Sequence, residues 1–463
     1  MHERLSALDA SFLYLEKPTV HMHVAGLGIL DPSTRPGGAL TERDLARLIS
    51  ERIHLVPRFR QRVVVPPLGA GRPVWVDDQH FDLSFHLRRT AVPAPGGRRE
   101  LAELVQRVHS RPLDRTKPLW EMYLIEGLED GYVAVLSKSH HAMIDGISGM
   151  DIATVMFDFT PQPQRVEARP WRPEPEPSDG RLLLEAVADQ VRNPARALVE
   201  GAVRALRAPQ EAVDRLAGLL GGIRSLAALG QAPAGPFNVP VGANRRFAMA
   251  EVPVADAKTV KNALGGTVND VILAAVTGAL RTVLLRRGHP MRGLKLRAMV
   301  PVSTRDDTQT MSLGNQVSMF FVDLPVGVSD PARRLRRITA ATRQLKSSHQ
   351  AVAATALMNT ARWAPPTIHG LAARLVARQR VANLIVSNVP GPQVPLYLDG
   401  ARLLAAFPVM PLGETLALSV AVTSLSGVMG FGFTTDWDSG ADIDVLASGL
   451  LESFDELTKA ARA

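Results

Sequence analysis

Ser139-His140-His141-Ala142-Met143-Ile144-Asp145-Gly146 is the stretch from which the fold and the chemistry of this chain can be worked out. The residues before it, 132–138, are mostly β-branched and apolar and predict a strand. Asp145-Gly146 predicts a turn, because glycine tolerates positive φ and aspartate can bond the backbone that follows. Residues 148–157 have apolar side chains at helical spacing. The predicted order is therefore strand, histidine-bearing bend and helix.

The two adjacent histidines should not be equivalent. Neighbours at the end of a strand point to opposite faces, so only one of His140 and His141 should face a given cleft. That imidazole can act as a general base, because its ordinary pKa leaves it partly neutral at physiological pH. Asp145 either orients an imidazole or pins the loop to a distant arginine, and a purely structural role fits these residues equally well. Adjacent histidines rarely ligate one ion, so no metal site is predicted.

The composition sets the class of protein. With 463 residues and 46% hydrophobic content, the chain can bury large cores and should form at least two domains. It has no cysteine, which excludes disulfides, thiol nucleophiles and thiolate metal sites and allows a reducing compartment. We see no apolar signal-peptide core and no uninterrupted apolar run of the roughly 18 residues that span a membrane. We therefore expect a soluble or peripheral protein of the cytoplasm.

The net charge of +8 bears on the partners. Binding of nucleic acid would require a dense basic stripe with interleaved aromatics, and this chain does not have one. Anionic lipid surfaces or a phosphate-bearing cofactor suit scattered arginines better, although a solvated helix face explains any single cluster. The arginine clusters lie at 58–62, 98–99, 334–337 and 374–380.

A proline-dense segment divides the chain. Residues 161–177 predict an extended linker, because prolines at this density exclude a helix or a central strand. We therefore expect an N-terminal half, 1–160, a connector, 161–238, and a C-terminal half, 239–463. Helical periodicity over 181–230 predicts amphipathic helices that cover a site entrance, dock on a membrane or merely bridge the halves.

Helical and strand patterns mix in both halves, which predicts an α/β architecture with two comparable domains. In the C-terminal half, the predicted helices are 268–285, 332 to about 358 and 443–461, and the predicted strands are 296–302, 317–324, 384–387, 416–422 and 428–435.

The stretch His140-His141-x-x-x-Asp145-Gly146 resembles the HHxxxDG signature of the coenzyme A-dependent acyltransferase superfamily. That superfamily includes chloramphenicol acetyltransferase and nonribosomal-peptide condensation domains, and the motif alone does not choose among them. Further segments resemble the bacterial wax ester synthase/diacylglycerol acyltransferase family and follow its order along the chain. They are 5–13, His21-Met22-His23, 112–121, 267–272, 300–305, 314–318 and 387–392.

This resemblance implies acyl transfer from acyl-coenzyme A to a lipid hydroxyl, with triacylglycerol or wax ester as the product. It implies two chloramphenicol-acetyltransferase-like domains with mixed sheets, an active site in a channel between them and no permanently bound cofactor. His141 would be the general base, His140 would support it, Asp145 would hold the bend and Gly146 would permit the turn. His140 and Asp145 also match the His-x4-Asp dyad of another glycerolipid acyltransferase family, whose other motifs are absent.

Other matching segments offer candidates for substrate binding. Asn269 and Asp270 either lie near the active centre or cap a helix. Ser387 and Asn388 either contact substrate or shape a turn, and Trp120 either contacts substrate or packs beside the motif strand.

The coenzyme phosphates need cationic partners. The candidates for that role are Arg245, Arg246 and Arg305.

Two other functions remain open from the sequence. One is a condensation-type acyltransferase that takes its acyl group from a carrier protein. The other is a non-catalytic protein of lipid bodies. Insoluble substrates and basic charge lead us to expect peripheral attachment to the inner face of the cell membrane or to lipid bodies.

Overall fold

The computed structural model describes residues 2–144, 155–188, 230–303, 317–347, 380–440 and 442–463. Within them lie two six-stranded sheets and a two-stranded ribbon. Both large sheets mix parallel and antiparallel neighbours and carry helices, so the predicted α/β class is confirmed.

The first sheet has the order β11-β12-β1-β6-β5-β4. Helix α4 covers one face, where Leu101 and Val105 pack on Leu27 and Leu136. Helices α1 and α2 cover the other face. The elements of the N-terminal part are α1 Ala7–Leu15, β1 His23–Asp31, α2 Glu42–Arg52, β2 Gln61–Val64, β3 Val74–Asp77, α3 Leu83–His86, β4 Leu87–Ala91, α4 Arg98–His109, β5 Trp120–Glu126, β6 Val133–His140 and α5 His141–Ile144.

The second sheet has the order β7-β14-β13-β10-β8-β9 and is covered by four helices. The elements of the C-terminal part are β7 Arg245–Pro253, α6 Val254–Leu264, α7 Val268–Arg286, β8 Leu296–Ser303, β9 Val317–Leu324, α8 Pro331–Ser347, β10 Leu384–Pro390, β11 Tyr397–Leu398, β12 Ala401–Val409, β13 Leu418–Leu425, β14 Val428–Asp436 and α9 Ile443–Arg462. The predicted strands and helices that fall on described residues all form, with ends shifted by a few residues.

Helix α7 is long and apolar enough to span a membrane by length and composition alone. It is, however, the central helix of the core that packs on the second sheet, and 72% of its most apolar stretch is buried inside the protein. The hydrophobicity of α7 is therefore accounted for by packing within the protein.

The C-terminal half contributes two strands, β11 and β12, to the first sheet. β12 follows β10 in the C-terminal half, yet it pairs antiparallel with β1, so that Ala25 lies opposite Val409. The expected division at 239 places β12 with the C-terminal half, whereas its hydrogen bonds place it in the first sheet. Alternating burial along β12 is visible in its sequence, but such a pattern does not identify the strand with which it pairs.

The backbones of β12 and β14 lie close together where the two halves of the protein meet. Cβ atoms built on Gly430 and Gly432 of β14 would lie 1.9 Å from the carbonyl oxygens of Ala406 and Pro408 on β12. Only glycine leaves room for this contact. Helix α4 adds a second contact, because Arg98 forms an ion pair of 2.6 Å with Glu251 on β7.

The predicted linker has neither helix nor strand from 161 to 178. It lies along the N-terminal half, where Glu174 N–H donates to Asp77 and the guanidinium of Arg60 stacks over Trp171. Helix follows at 179–188. The remainder of the predicted connector helices, 189–229, lies outside the described residues, as do residues 148–154 of the predicted helix that follows the motif.

Candidate active site

The histidine bend is fixed by hydrogen bonds on both sides of β6. Its last residue, His140, lies opposite His23 on β1 and donates its N–H to the carbonyl of Leu119 at 2.9 Å. The next N–H, of His141, donates to Met22 at 2.8 Å, and a single helical turn starts there. The backbone of both histidines is therefore held in place before any side-chain contact is considered.

His140 lies on the face of the sheet that α4 covers and is almost completely buried. Its Nδ1 accepts the N–H of Ala142 at 3.0 Å, so the ring proton of the neutral imidazole is on Nε2. That nitrogen lies 3.3 Å from Oε1 of Glu16, just beyond the end of α1. These contacts determine both the ring orientation and the tautomer of His140.

His141, the first residue of α5, has different neighbours from His140. Its ring stacks on Phe12 of α1, with 3.9 Å between centroids and 24° between planes. Burial, together with the positive charge that His140 can carry, lowers the pKa of His141 to about 4. The imidazole is therefore neutral at any pH above about 5 and can accept a proton.

The two halves of the protein meet beside this base. Phe12 packs on an apolar cluster that combines Val20 and Met22 with side chains from the C-terminal half, namely Val241, Leu412 and Ala417. Next to it, Lys17 forms an ion pair of 2.6 Å with Glu414. The base is thus placed close to the junction of the halves.

More histidines are buried around His140. The rings of His21 and His23 stack at 5.3 Å, and His109 meets His23 edge-on at 6.4 Å. Burial, followed by the charge of Lys138, lowers the pKa of His109 to about 3. Burial also lowers the pKa of Lys138 to about 8, and its ammonium donates to the carbonyls of Val108 and Arg111 at the end of α4.

These buried histidines should make the protein sensitive to acid. Between the ordinary pKa of 6.5 and the folded value of about 3, the unfolded chain binds the His109 proton and the native protein does not. Stability therefore falls as the pH drops through that window, for His109 by about 2 kcal/mol between pH 6.5 and 5. Urea unfolding at pH 7 and pH 5 should show this loss, and His109→Gln should reduce it. The exposed His80→Gln should keep the wild-type loss, and an equal loss in His109→Gln would contradict the prediction.

Glu16, His21 and His23 also resemble a metal-binding group, with candidate ligand atoms within 4.8 Å of one another. Donors bound to one zinc ion lie closer, about 3.3 Å apart. The Glu16 carboxylate already accepts the N–H of Met22 at 3.1 Å and faces His140. Burial, followed by the positive charges of Arg245 and Lys138, lowers the pKa of His21. These contacts favour a hydrogen-bonded histidine cluster over a cation site.

Trp120 lies in the core beside the motif strand, opposite Ser139 on β6. Its ring stacks between Phe59 and His86, and its Nε1–H donates to the Phe59 carbonyl at 2.8 Å. Trp120 therefore supports the strand through packing.

Asp270 caps α7. Its carboxylate accepts the N–H of Thr267 at 2.8 Å and the hydroxyl of Thr342 at 2.7 Å, and it is buried. Asn269 is half-buried in the same first turn. Of the two roles considered for this pair, the contacts of Asp270 show the capping role.

Ser387 and Asn388 lie within β10, in register with Ala421 and Val422 of β13, so they belong to a strand and not to a turn. Ser387 is buried and Asn388 half-buried.

The prediction for Arg245 needs a correction. Arg245 is buried, and its guanidinium donates to the carbonyls of Gly242, Asn244 and Thr19, so a coenzyme phosphate does not reach it. Sequence alone could not show that this charge serves the fold. Arg246 stacks over the ring of Trp437 and donates through Nε to its carbonyl, and its role toward the coenzyme phosphates stays a prediction. Asp145, Gly146 and Arg305 lie outside the described residues.

Three contacts of the site were not foreseen: the stacking of Phe12, the carboxylate of Glu16 and the buried Lys138. Phe12 belongs to segment 5–13, which carries the family resemblance, and Glu16 lies three residues after that segment. Their spacing of one helical turn was the available signal that both face the same neighbour.

Comparison with known proteins agrees with this geometry. The family model described as the wax ester synthase/diacylglycerol acyltransferase catalytic domain matches residues 5–272, and the model of the WS/DGAT C-terminal domain matches 313–458. A Mycobacterium tuberculosis protein named as a diacylglycerol O-acyltransferase is 37% identical over 464 residues, which cover 98% of this chain and 90% of that protein. Another from the same species, with the same enzyme name, is 34% identical over 467 residues and covers 98% and 95%.

Solved structures show the same fold. The wax ester synthase/diacylglycerol acyltransferase from Marinobacter aquaeolei VT8 is 28% identical, with a TM-score of 0.70 over 99% of this chain and 100% of that one. The starter condensation domain of rhizomide synthetase is 12% identical, with a TM-score of 0.58 over 100% and 95%. At that identity the second likeness concerns the fold alone.

Proposed function

This chain belongs to the wax ester synthase/diacylglycerol acyltransferase family and is an acyltransferase, and we propose that it esterifies diacylglycerol with acyl-coenzyme A. The product is triacylglycerol, and long-chain alcohols are alternative acceptors that give wax esters. The names of the relatives support diacylglycerol as the acceptor, because two of them, 37% and 34% identical, are named for that activity.

The observation that carries the mechanism is the placement of His141. It is a neutral imidazole at a strand end, stacked on Phe12, beside the junction of two acyltransferase halves. An alcohol is too weak an acid to attack a thioester unaided at neutral pH, so a base must take its proton as the ester bond forms. His141 is assigned that role.

The step balances without a covalent enzyme intermediate. The alcohol oxygen attacks the acyl carbonyl while its proton passes to His141. The C–S bond then breaks, and the histidinium returns the proton to the coenzyme A thiolate. A low pKa means that the imidazolium is costly in this buried position, and the oxyanion that forms beside it offsets this cost.

His140 has a positioning role in this scheme. Its Nδ1 accepts the N–H of Ala142, and its Nε2 lies 3.3 Å from Oε1 of Glu16. The His-x4-Asp dyad would need His140 as the base, whereas one ring nitrogen is occupied by a backbone N–H and the other faces a carboxylate inside the protein.

The test is turnover with purified protein. Palmitoyl-coenzyme A is supplied with dioleoylglycerol or hexadecanol, thiol release is followed, and the ester is identified by mass spectrometry. We expect both signals with dioleoylglycerol and neither when the acceptor is omitted. An absence of ester with every acceptor would refute the proposed function, and ester with hexadecanol alone would refute the preferred acceptor.

We also propose that the protein attaches peripherally to anionic lipid surfaces, such as the inner face of the cell membrane or lipid bodies. The net charge of +8 and insoluble substrates support this location. Leu68, 94% exposed between β2 and β3, gives an apolar contact. Flotation with phosphatidylglycerol vesicles should carry the protein upward at low salt and less so at high salt. Protein left at the bottom of both gradients would contradict the proposal.

A further inference from the structure

We propose that α1 is the positioning element of the catalytic histidine pair: Phe12 fixes the ring of His141, and Glu16 fixes the ring of His140. The inference rests on the proposed role of His141 as the base. Phe12 and Glu16 are one helical turn apart; Phe12 stacks on His141, the first residue of α5, and Glu16 faces His140, the last residue of β6. The C-terminal end of α1 therefore lies across the end of this strand.

Phe12 replaces the orienting hydrogen bond that a catalytic imidazole commonly has. No other described residue forms a hydrogen bond with Nδ1 of His141, although this atom is buried. The ring instead lies nearly parallel to Phe12 at 3.9 Å. Phe12 packs against the apolar cluster that contains Val20 from the N-terminal half and Leu412 from the C-terminal half. The direction of the base thus depends on an aromatic face that the junction of the halves supports.

Glu16 holds the other ring. Its Oε1 lies 3.3 Å from Nε2 of His140 and accepts the N–H of Met22 at 3.1 Å. The carbonyl of Met22 in turn accepts the N–H of His141, so Met22 links Glu16 to the backbone of the base. Burial raises the pKa of Glu16, but the hydrogen bond and charge of His140, the Met22 N–H and Arg115 outweigh it, and the net pKa is lowered. Glu16 is therefore an ionised acceptor that selects the tautomer with the proton on Nε2.

The charged and titratable groups around the pair determine how a pH profile is interpreted. His140, at the end of β6, is the titratable group that lowers the pKa of His141 after burial. Glu16, just beyond α1, faces His140, and Arg115, in the loop before β5, faces Glu16. Further groups surround His140 and Glu16: His21, His23, His109 and Lys138.

The first test changes Phe12. In Phe12→Leu the imidazole loses its stacking partner and becomes more hydrated, so we expect kcat to fall about 10- to 100-fold with KM for palmitoyl-coenzyme A unchanged. The acid limb of kcat/KM should move to higher pH, toward the ordinary histidine value. Phe12→Tyr keeps an aromatic face and should restore most of kcat.

The matched control is Phe81→Leu. Phe81 is also a half-buried phenylalanine, and it stacks on a buried histidine, His86, with 5.3 Å between ring centroids; this stack continues to Trp120 and does not include His141. This variant should keep the wild-type kcat and pH profile. Equal kcat values and equal profiles for Phe12→Leu and Phe81→Leu would overturn the role of Phe12.

The second test changes Glu16. Glu16→Ala removes the acceptor of His140, and we expect a loss of about 100-fold in kcat. Glu16→Gln keeps an acceptor oxygen without the charge and should retain at least 10-fold more activity than alanine. Glu185→Gln is the control, because that carboxylate also faces a histidine, His2 at 3.8 Å, and its side chain is 14% exposed against 12% for Glu16.

The outcomes separate this inference from the proposed function. If His141→Ala is inactive while Glu16→Ala and Phe12→Leu both match wild type in kcat and pH profile, the inference fails and the base assignment stands. If His141→Ala is as active as wild type, the proposed mechanism fails. Thermal unfolding of each variant shows whether the protein is folded, and loss of kcat in a folded Glu16→Ala or Phe12→Leu variant supports the inference.

Discussion

We expect His141→Ala to lower kcat for triacylglycerol synthesis by about 10³-fold or more, within the range that a general base contributes. The reason is that no other described side chain at the bend offers a neutral imidazole outside the Glu16 network. His140→Ala should cost less, about 10- to 100-fold, because it removes support and leaves the base in place.

Turnover of palmitoyl-coenzyme A with dioleoylglycerol measures both variants, and urea unfolding shows that each remains folded. A larger loss in a folded His140→Ala than in His141→Ala would favour the His-x4-Asp dyad. Activity of His141→Ala equal to wild type would refute the base assignment.

The second large effect is on stability. Gly432→Ala places a Cβ 1.9 Å from the Pro408 carbonyl oxygen, which belongs to backbone and cannot move aside cheaply. Strand β12 would have to separate from β14, and we expect a loss of about 3 kcal/mol or more in the free energy of unfolding. Chemical denaturation of the purified variant measures this loss.

Gly26→Ala is the matched control, since Gly26 also lies within a strand but a Cβ there meets nothing within 4 Å. Its stability should equal or slightly exceed that of wild type, because alanine restricts the unfolded chain. Equal stability of the Gly432→Ala and Gly26→Ala variants would show that the close approach of β12 and β14 is not required.

Local pattern was enough to predict the strand and the different surroundings of the two histidines. A run of β-branched and apolar residues predicted β6, and the period of a strand predicted different neighbours for His140 and His141. Capping of α7 by Asp270 was one of the two roles predicted for this residue, and Thr267-x-x-Asp270 has the spacing of a capping box.

Long-range contacts were not predictable in this way. β12 pairs with β1 across almost the whole chain, and one sequence does not show which strand is its neighbour. The burial of Arg245 against carbonyl groups has the same origin, because its partners include the distant Thr19. The contact of Phe12 with His141 also joins residues far apart in sequence.

The central claim is direct transfer of the acyl group with His141 as the base. Its most direct test is the intact mass of the protein after incubation with palmitoyl-coenzyme A, first without an acceptor and then with dioleoylglycerol. We predict an unchanged mass and no thiol release without the acceptor, then stoichiometric thiol and triacylglycerol once it is added, and neither product with His141→Ala. A palmitoyl adduct on the protein that forms without acceptor and disappears when dioleoylglycerol is added would contradict the account.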